Sequence, residues 1–179
     1  MGRSAVLVGM MGAGKTTVGQ AVAERLGWAF VDSDRQVEAR AGRTVEQIWR
    51  DEGEDGFRRL EAEALAHALA ATEERPAVVA AAGGVVLDPA NRELLRRHPP
   101  VVWLRARPET LARRVGTGEG RPLLAGGPAA ALVRLEAERR PLYEEVAGTV
   151  VDVDDLAASE AVERVVAAVA AATGPRARP

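Results

Sequence analysis

The chain has 179 residues, a formal net charge of −2, 28% charged and 47% hydrophobic residues, no cysteine and two histidines. That length suits one domain around a single core, and the near-neutral charge lacks the basic field a nucleic-acid partner would need. Without cysteine there is no disulfide framework, thiol nucleophile or cysteine-rich zinc site, and His67 and His98 are too few and too separated for a metal cluster and read as surface residues. No charged-then-apolar leader precedes the first apolar run and no run approaches the length of a membrane span, so a cytoplasmic location without a membrane partner is expected.

Strand and helix patterns alternate without an internal repeat, which predicts an α/β fold with helices on both faces of the sheet. Ser4 to Val8 reads as the first strand. Directly after it, Gly9-Met10-Met11-Gly12-Ala13-Gly14-Lys15-Thr16 matches G-x-x-x-x-G-K-[ST] in full. Glycines let that backbone curl until successive N–H groups face a phosphate, while Lys15 and Thr16 reach a phosphoryl oxygen and Mg²⁺. Of the 24 Lys and Arg residues only Lys15 is lysine, a compact ammonium at the position where a guanidinium fork would not fit.

Thr16 to Leu26 follows with Val18, Val22 and Leu26 at helical spacing, and Gly27 ends it. A second strand, Trp28 to Val31, delivers Asp32-Ser33-Asp34 to a strand end, where α/β sheets gather ligands. Asp34 to Gly42 reads as a helix, Thr44-Val45-Glu46-Gln47 as a capping box, Gly53 as a stop, and Glu54 to Ala71 as a long helix with Phe57, Leu60, Ala64, Leu65 and Ala68 on one face. Ala77 to Ala81 is a buried-type strand leading into Ala82-Gly83-Gly84. Asp88-Pro89 opens a helix to Arg97, Val101 to Leu104 is a strand, and Pro108 to Val115 a helix. The Gly-rich stretch 115–128, carrying Arg121, has the composition of a lid loop. Ala129 to Arg140 reads as helix, Thr149 to Val153 as the fifth strand, Ser159 as the cap of a last helix, and 174–179 as a frayed tail.

Phosphoryl transfer needs Mg²⁺, charge neutralisation, a positioned acceptor and exclusion of water. Thr16 can ligate Mg²⁺, and Asp32 can hold it directly or through water. Asp34 can orient an acceptor hydroxyl and take its proton, or serve as the N-cap of the next helix. Arg121 can close over the phosphates. Periodicity places Arg58 and Arg59, and Arg139 and Arg140, beside apolar faces without choosing within either pair.

The phosphate loop, D-S-D after the second strand, F-R-R-L-E in the long helix, A-G-G after the third strand, R-P-L-L in the lid and R-R-P-L-Y beyond it resemble, in order and spacing, the shikimate kinases. The resemblance spans the chain to about Val153. It implies a three-layer α/β/α P-loop kinase fold with a five-stranded parallel sheet of order 2-3-1-4-5, acting as a monomer on ATP and Mg²⁺ to phosphorylate the 3-hydroxyl of shikimate. By the same resemblance Lys15, Asp34 and Arg121 are catalytic. Gly12, Ala13, Gly14, Lys15, Thr16, Thr17, Arg114 and Arg121 bind the nucleotide. Asp34, Arg58, Gly83, Gly84 and Arg139 bind shikimate, with Phe57 and Trp49 as an aromatic wall, and Thr16 and Asp32 serve the metal. The kinase domain is expected over 1–173, with 32–72 as the substrate-binding subregion and 115–128 as a mobile lid.

Two departures from the family pattern carry expectations of their own. Ala82 stands where a first glycine is usual, so a positive φ there would be strained. Asp152-Val153-Asp154-Asp155 lacks the basic or amide residue often seen near the base, which leaves base contacts either backbone-made or loose and the base preference open. The rival readings are another small-molecule kinase of this fold, such as gluconate kinase, and a nucleotide-binding protein without turnover.

Overall fold

The computed structural model describes residues 4–173. At its centre is β1 (Ser4–Val8), buried along its whole length as a strand covered on both faces must be. β1 pairs in parallel with β3 (Ala77–Ala80) on one side and β4 (Val101–Arg105) on the other. β2 (Ala29–Asp32) adds beyond β3, and β5 (Thr149–Asp152) beyond β4, giving the order β2-β3-β1-β4-β5. The expected fold class is the observed one.

The helices are α1 (Lys15–Leu26), α2 (Ser33–Ala41), α3 (Val45–Ala71), α4 (Pro89–Arg96), α5 (Pro108–Val115), α6 (Pro128–Val146) and α7 (Ala158–Thr173). α1 packs with α7, and α6 with α4 and α5. The chain leaves β1 toward β2 and leaves β3 toward β4, in opposite directions across the sheet, so a crevice opens at the C-terminal strand ends between them. The register sets Ala80 opposite both Leu7 and Asp32. That brings the Gly9 loop, Asp32 and the Ala82-Gly83-Gly84 segment to one edge of the sheet.

The main core surrounds the sheet, while Val37, Ile48, Phe57 and Ala64 form a second cluster with Trp49 and Leu60 against it. The second cluster ties α2 to α3 and gives residues 32–72 apolar packing of their own. No helix among the described residues is long and apolar enough to cross a membrane.

Several expected boundaries shift for local reasons. α3 is two helical stretches that meet at Gly53, whose φ of 69° and ψ of −170° are non-helical, so the expected stop is present as a kink after which the helix resumes to Ala71. α6 runs past Arg140 and through Pro141 to Val146. Proline removes one N–H, and burial of Tyr143 and Val146 on the continuing apolar face outweighs that loss. Ser159 lies inside the first turn of α7 rather than capping it, and the Glu160 carboxylate accepts from Ala157 N at 2.9 Å instead. Ala82 is not strained, since no non-glycine residue has positive φ among the described residues. His67 is exposed, whereas His98 is half-buried against the Leu94 carbonyl. The tail expected over 174–179 lies outside the described residues.

Candidate active site

The phosphate loop is shaped by backbone that only glycine accepts. Gly9, Gly12 and Gly14 have φ of 142°, 82° and 90°. Gly9 also packs against β4, where a Cβ would stand 2.5 Å from the Leu104 carbonyl oxygen. α1 starts at Lys15 behind Gly14, with no side chain capping it, so its first N–H groups are available to an anion. Lys15 Nζ donates to the carbonyls of Gly9 at 2.8 Å and Met10 at 3.1 Å, bridging its own loop. Burial lowers the Lys15 pKa, against the pull of Asp34 and Asp32.

Asp32, at the end of β2, uses both carboxylate oxygens. One accepts from Thr16 Oγ1 at 2.8 Å, and the other caps α2 by accepting from Asp34 N at 3.1 Å and Arg35 N at 3.4 Å. The capping role left open for Asp34 therefore belongs to Asp32. The Asp34 carboxylate opens into the cavity, where desolvation raises its pKa while Lys15 pulls it down.

A single cavity of about 590 Å³ joins these groups. Its lining holds Gly12, Gly14, Lys15, Thr16, Thr17, Asp32, Asp34, Arg58, Gly83, Gly84, Arg114, Arg121 and Arg139, all singled out in the sequence, with Trp49 and Phe57 as its aromatic wall. The two rings stand 5.8 Å apart. Ala13 does not line the cavity. Its methyl is buried beneath the loop and its N–H bonds the Met10 carbonyl at 3.2 Å.

The structure also separates the arginine pairs. Arg58 and Arg139 line the cavity, while exposed Arg59 pairs with Glu52 and Glu63 and exposed Arg140 pairs with Glu136. Arg58 is bracketed by Glu54, at 3.0 Å, and Glu61, and it lies across Gly84, where any Cβ would collide with its guanidinium. Arg139 is only 1% exposed, and its Nε has no hydrogen-bond partner. Arg114 donates to Val153 O at 2.6 Å and to Gly12 O at 3.5 Å, joining the phosphate loop to the segment after β5. Arg121 is exposed at the rim, on the segment leading into a single 3₁₀ turn, Pro122–Leu124.

A family model described as shikimate kinase matches residues 11–170. The chain belongs to the shikimate kinase family. A shikimate kinase from Symbiobacterium thermophilum is 55% identical over 146 residues, covering 79% of this chain and 82% of that relative. One from Thermobifida fusca is 46% identical over 159 residues, covering 89% and 90%. Among solved structures, a shikimate kinase from Acinetobacter baumannii in complex with shikimate superposes with a TM-score of 0.86 at 37% identity, covering 91% of this chain and 90% of that one.

Three polar residues of this shikimate kinase site escape a reading of motifs alone. Glu61 is 3% exposed, and burial raises its pKa to about 7 despite the Arg58 guanidinium beside it. Ser33, fully buried between the two aspartates, accepts from Ala82 N at 2.8 Å. Tyr143 donates to Gly83 O at 2.7 Å. Each lies inside a quoted motif, F-R-R-L-E, D-S-D or R-R-P-L-Y, but its role depends on a partner distant in sequence.

Proposed function

We propose that the chain transfers the γ-phosphoryl group of ATP to the 3-hydroxyl of shikimate, giving shikimate 3-phosphate and ADP on the route to chorismate and the aromatic amino acids. The observation that carries the acceptor assignment is Arg139. A guanidinium at 1% exposure, with an unpartnered Nε, is costly to keep unless an anion meets it. Glu61 and Glu136 pair with Arg58 and Arg140 instead. Arg58 and Arg139 thus hold the acceptor's carboxylate, and Gly83 and Gly84 let its ring approach the backbone.

The acceptor oxygen attacks the γ-phosphorus, the bond to the β-phosphate bridging oxygen breaks, and the hydroxyl proton passes to the Asp34 carboxylate. A carboxylate whose pKa the surrounding cavity raises suits that transfer. Lys15 gives up its carbonyl contacts for a phosphoryl oxygen, the N–H groups of Gly12 to Thr17 cradle the phosphates, and Arg114 lies beside the base. Arg121 neutralises the charge of the moving group as the lid, 115–128, closes against the 32–72 subregion.

Among the described residues no three His, Cys, Asp or Glu side chains gather into a metal cage. Thr16 Oγ1 and Asp32 Oδ2, 2.8 Å apart, suit magnesium, which takes few protein oxygens and completes its shell with water and phosphate. Thr16 and Asp32 would hold the ion there, and it would supply charge neutralisation to the phosphates. We also propose a monomer in the cytoplasm, where ATP is supplied. Only Val133 and Val150 are exposed large hydrophobic residues among those described, which supports the monomer.

Calorimetry of shikimate and its methyl ester tests the carboxylate clamp. Removing the acceptor's charge opposite a buried guanidinium is expected to weaken binding by about 100-fold or more. Equal affinities for the acid and the ester contradict it.

A further inference from the structure

We propose that Tyr143 is a positioning residue for the acceptor: its hydroxyl holds Arg139 and the Gly83 carbonyl in one fixed arrangement, and so sets acceptor affinity without acting on the nucleotide. This rests on the carboxylate clamp proposed above. The ring is fully buried and stacks on Trp103 of β4, with centroids 5.5 Å apart and planes 24° apart, so its hydroxyl has one place to be. From there it donates to Gly83 O at 2.7 Å. Arg139 stands one turn earlier on α6, with its guanidinium beside the same hydroxyl. A Cβ built on Gly83 would lie 3.6 Å from Tyr143 Oη and 3.7 Å from Arg139 Nη1, so the three groups share one van der Waals shell.

An arginine side chain has many rotamers to lose on gripping a ligand. Here the phenol gives its proton to Gly83 and turns its lone pairs to the guanidinium beside it, so the arginine is ordered before the acceptor arrives and affinity rises through preorganisation. The donated proton also satisfies the part-buried Gly83 carbonyl, which keeps the backbone at the cavity wall in register with the guanidinium. Phe57, Trp49 and Arg58 line the same cavity from α3.

Tyr143→Phe keeps the ring and its stacking and deletes only the hydroxyl. The KM for shikimate is expected to rise about 10-fold or more, while kcat stays within about threefold and the KM for ATP within about twofold. On an Arg139→Lys background the same change adds less than about threefold, because the positioned group is gone. A merely structural tyrosine would lower thermal stability and shift both KM values together, and that outcome overturns the proposal, as does an unchanged KM for shikimate. If the wild-type enzyme itself shows no shikimate-dependent turnover, the clamp reading fails first and separately.

Should the variant not fold, the wild-type chain suffices. Tyr143 is its only tyrosine. Labelled with 3-fluorotyrosine, the protein gives one ¹⁹F resonance for this ring. That resonance is expected to move on saturation with shikimate and to stay in place with ADP. A resonance blind to shikimate overturns the proposal.

Discussion

Asp34 and Lys15 line one cavity and attract each other, and desolvation by the protein around them acts on the two in opposite directions. It raises the carboxylate and lowers the ammonium, while their mutual attraction opposes both shifts. Asp34→Asn keeps the shape and removes the proton acceptor. Turnover is expected to fall roughly 10²- to 10⁴-fold, with ATP affinity by calorimetry nearly unchanged. Comparable loss of ATP affinity would place Asp34 in the nucleotide site. Glu61 carries a different prediction. Its folded pKa of about 7 stands above the ordinary 4.5, so the native state holds a proton that the unfolded chain releases across that interval. The contribution to stability is complete below the lower value and is lost as pH rises through the upper one. It amounts to on the order of 3 kcal/mol between pH 4.5 and about 7. Urea titrations across that window are expected to show the decline in the native protein and a flatter profile in Glu61→Gln. An identical slope in both would mean that Glu61 is not the titrating group.

At the scale of elements, the bend in α3 aims its first turns at the cavity, where Val45 and Trp49 join the lining. Gly53 makes the bend in a conformation reserved for glycine, and a Cβ there would meet nothing within 4 Å. Gly53→Ala is therefore expected to cost about 1–3 kcal/mol through backbone strain alone, read as a lower denaturation midpoint. An unchanged midpoint would show that the bend relaxes freely. This glycine also shows what a sequence withholds. A glycine inside a helical pattern marks an interruption, but whether the chain stops or bends depends on whether Ile48 and Phe57 on its two sides reach one cluster, as they do. Pro141 misleads for the same reason, because the burial of Tyr143 beyond it is tertiary. The phosphate loop was legible because glycine, lysine and threonine act within eight consecutive residues. The choice of Arg58 over Arg59 was not, since their neighbouring positions on α3 differ only in what the rest of the fold brings opposite: Gly84 for one, solvent for the other.

For the whole molecule, the sheet order is what converts these elements into a site. The opposed connections from β1 and β3 leave a crevice at the strand ends, and the strand register fills it with the phosphate loop, Asp32 and the Ala82-Gly83-Gly84 segment together. Arg139 is buried and Arg58 part-buried in the cavity, whereas surface ion pairs such as Arg25 with Glu163 and Arg97 with Glu93 are exposed and screened by water, so they contribute little. Family membership fixes the fold and the class of reaction. The acceptor assignment turns on Asp34, Arg58 and Arg139 converging on one molecule. The most direct measurement is ADP release with Mg-ATP in the presence of shikimate, gluconate or nucleoside monophosphates. Shikimate alone is expected to stimulate release, with the phosphate found on its 3-hydroxyl. No stimulation by shikimate, or equal stimulation by gluconate, would contradict the account.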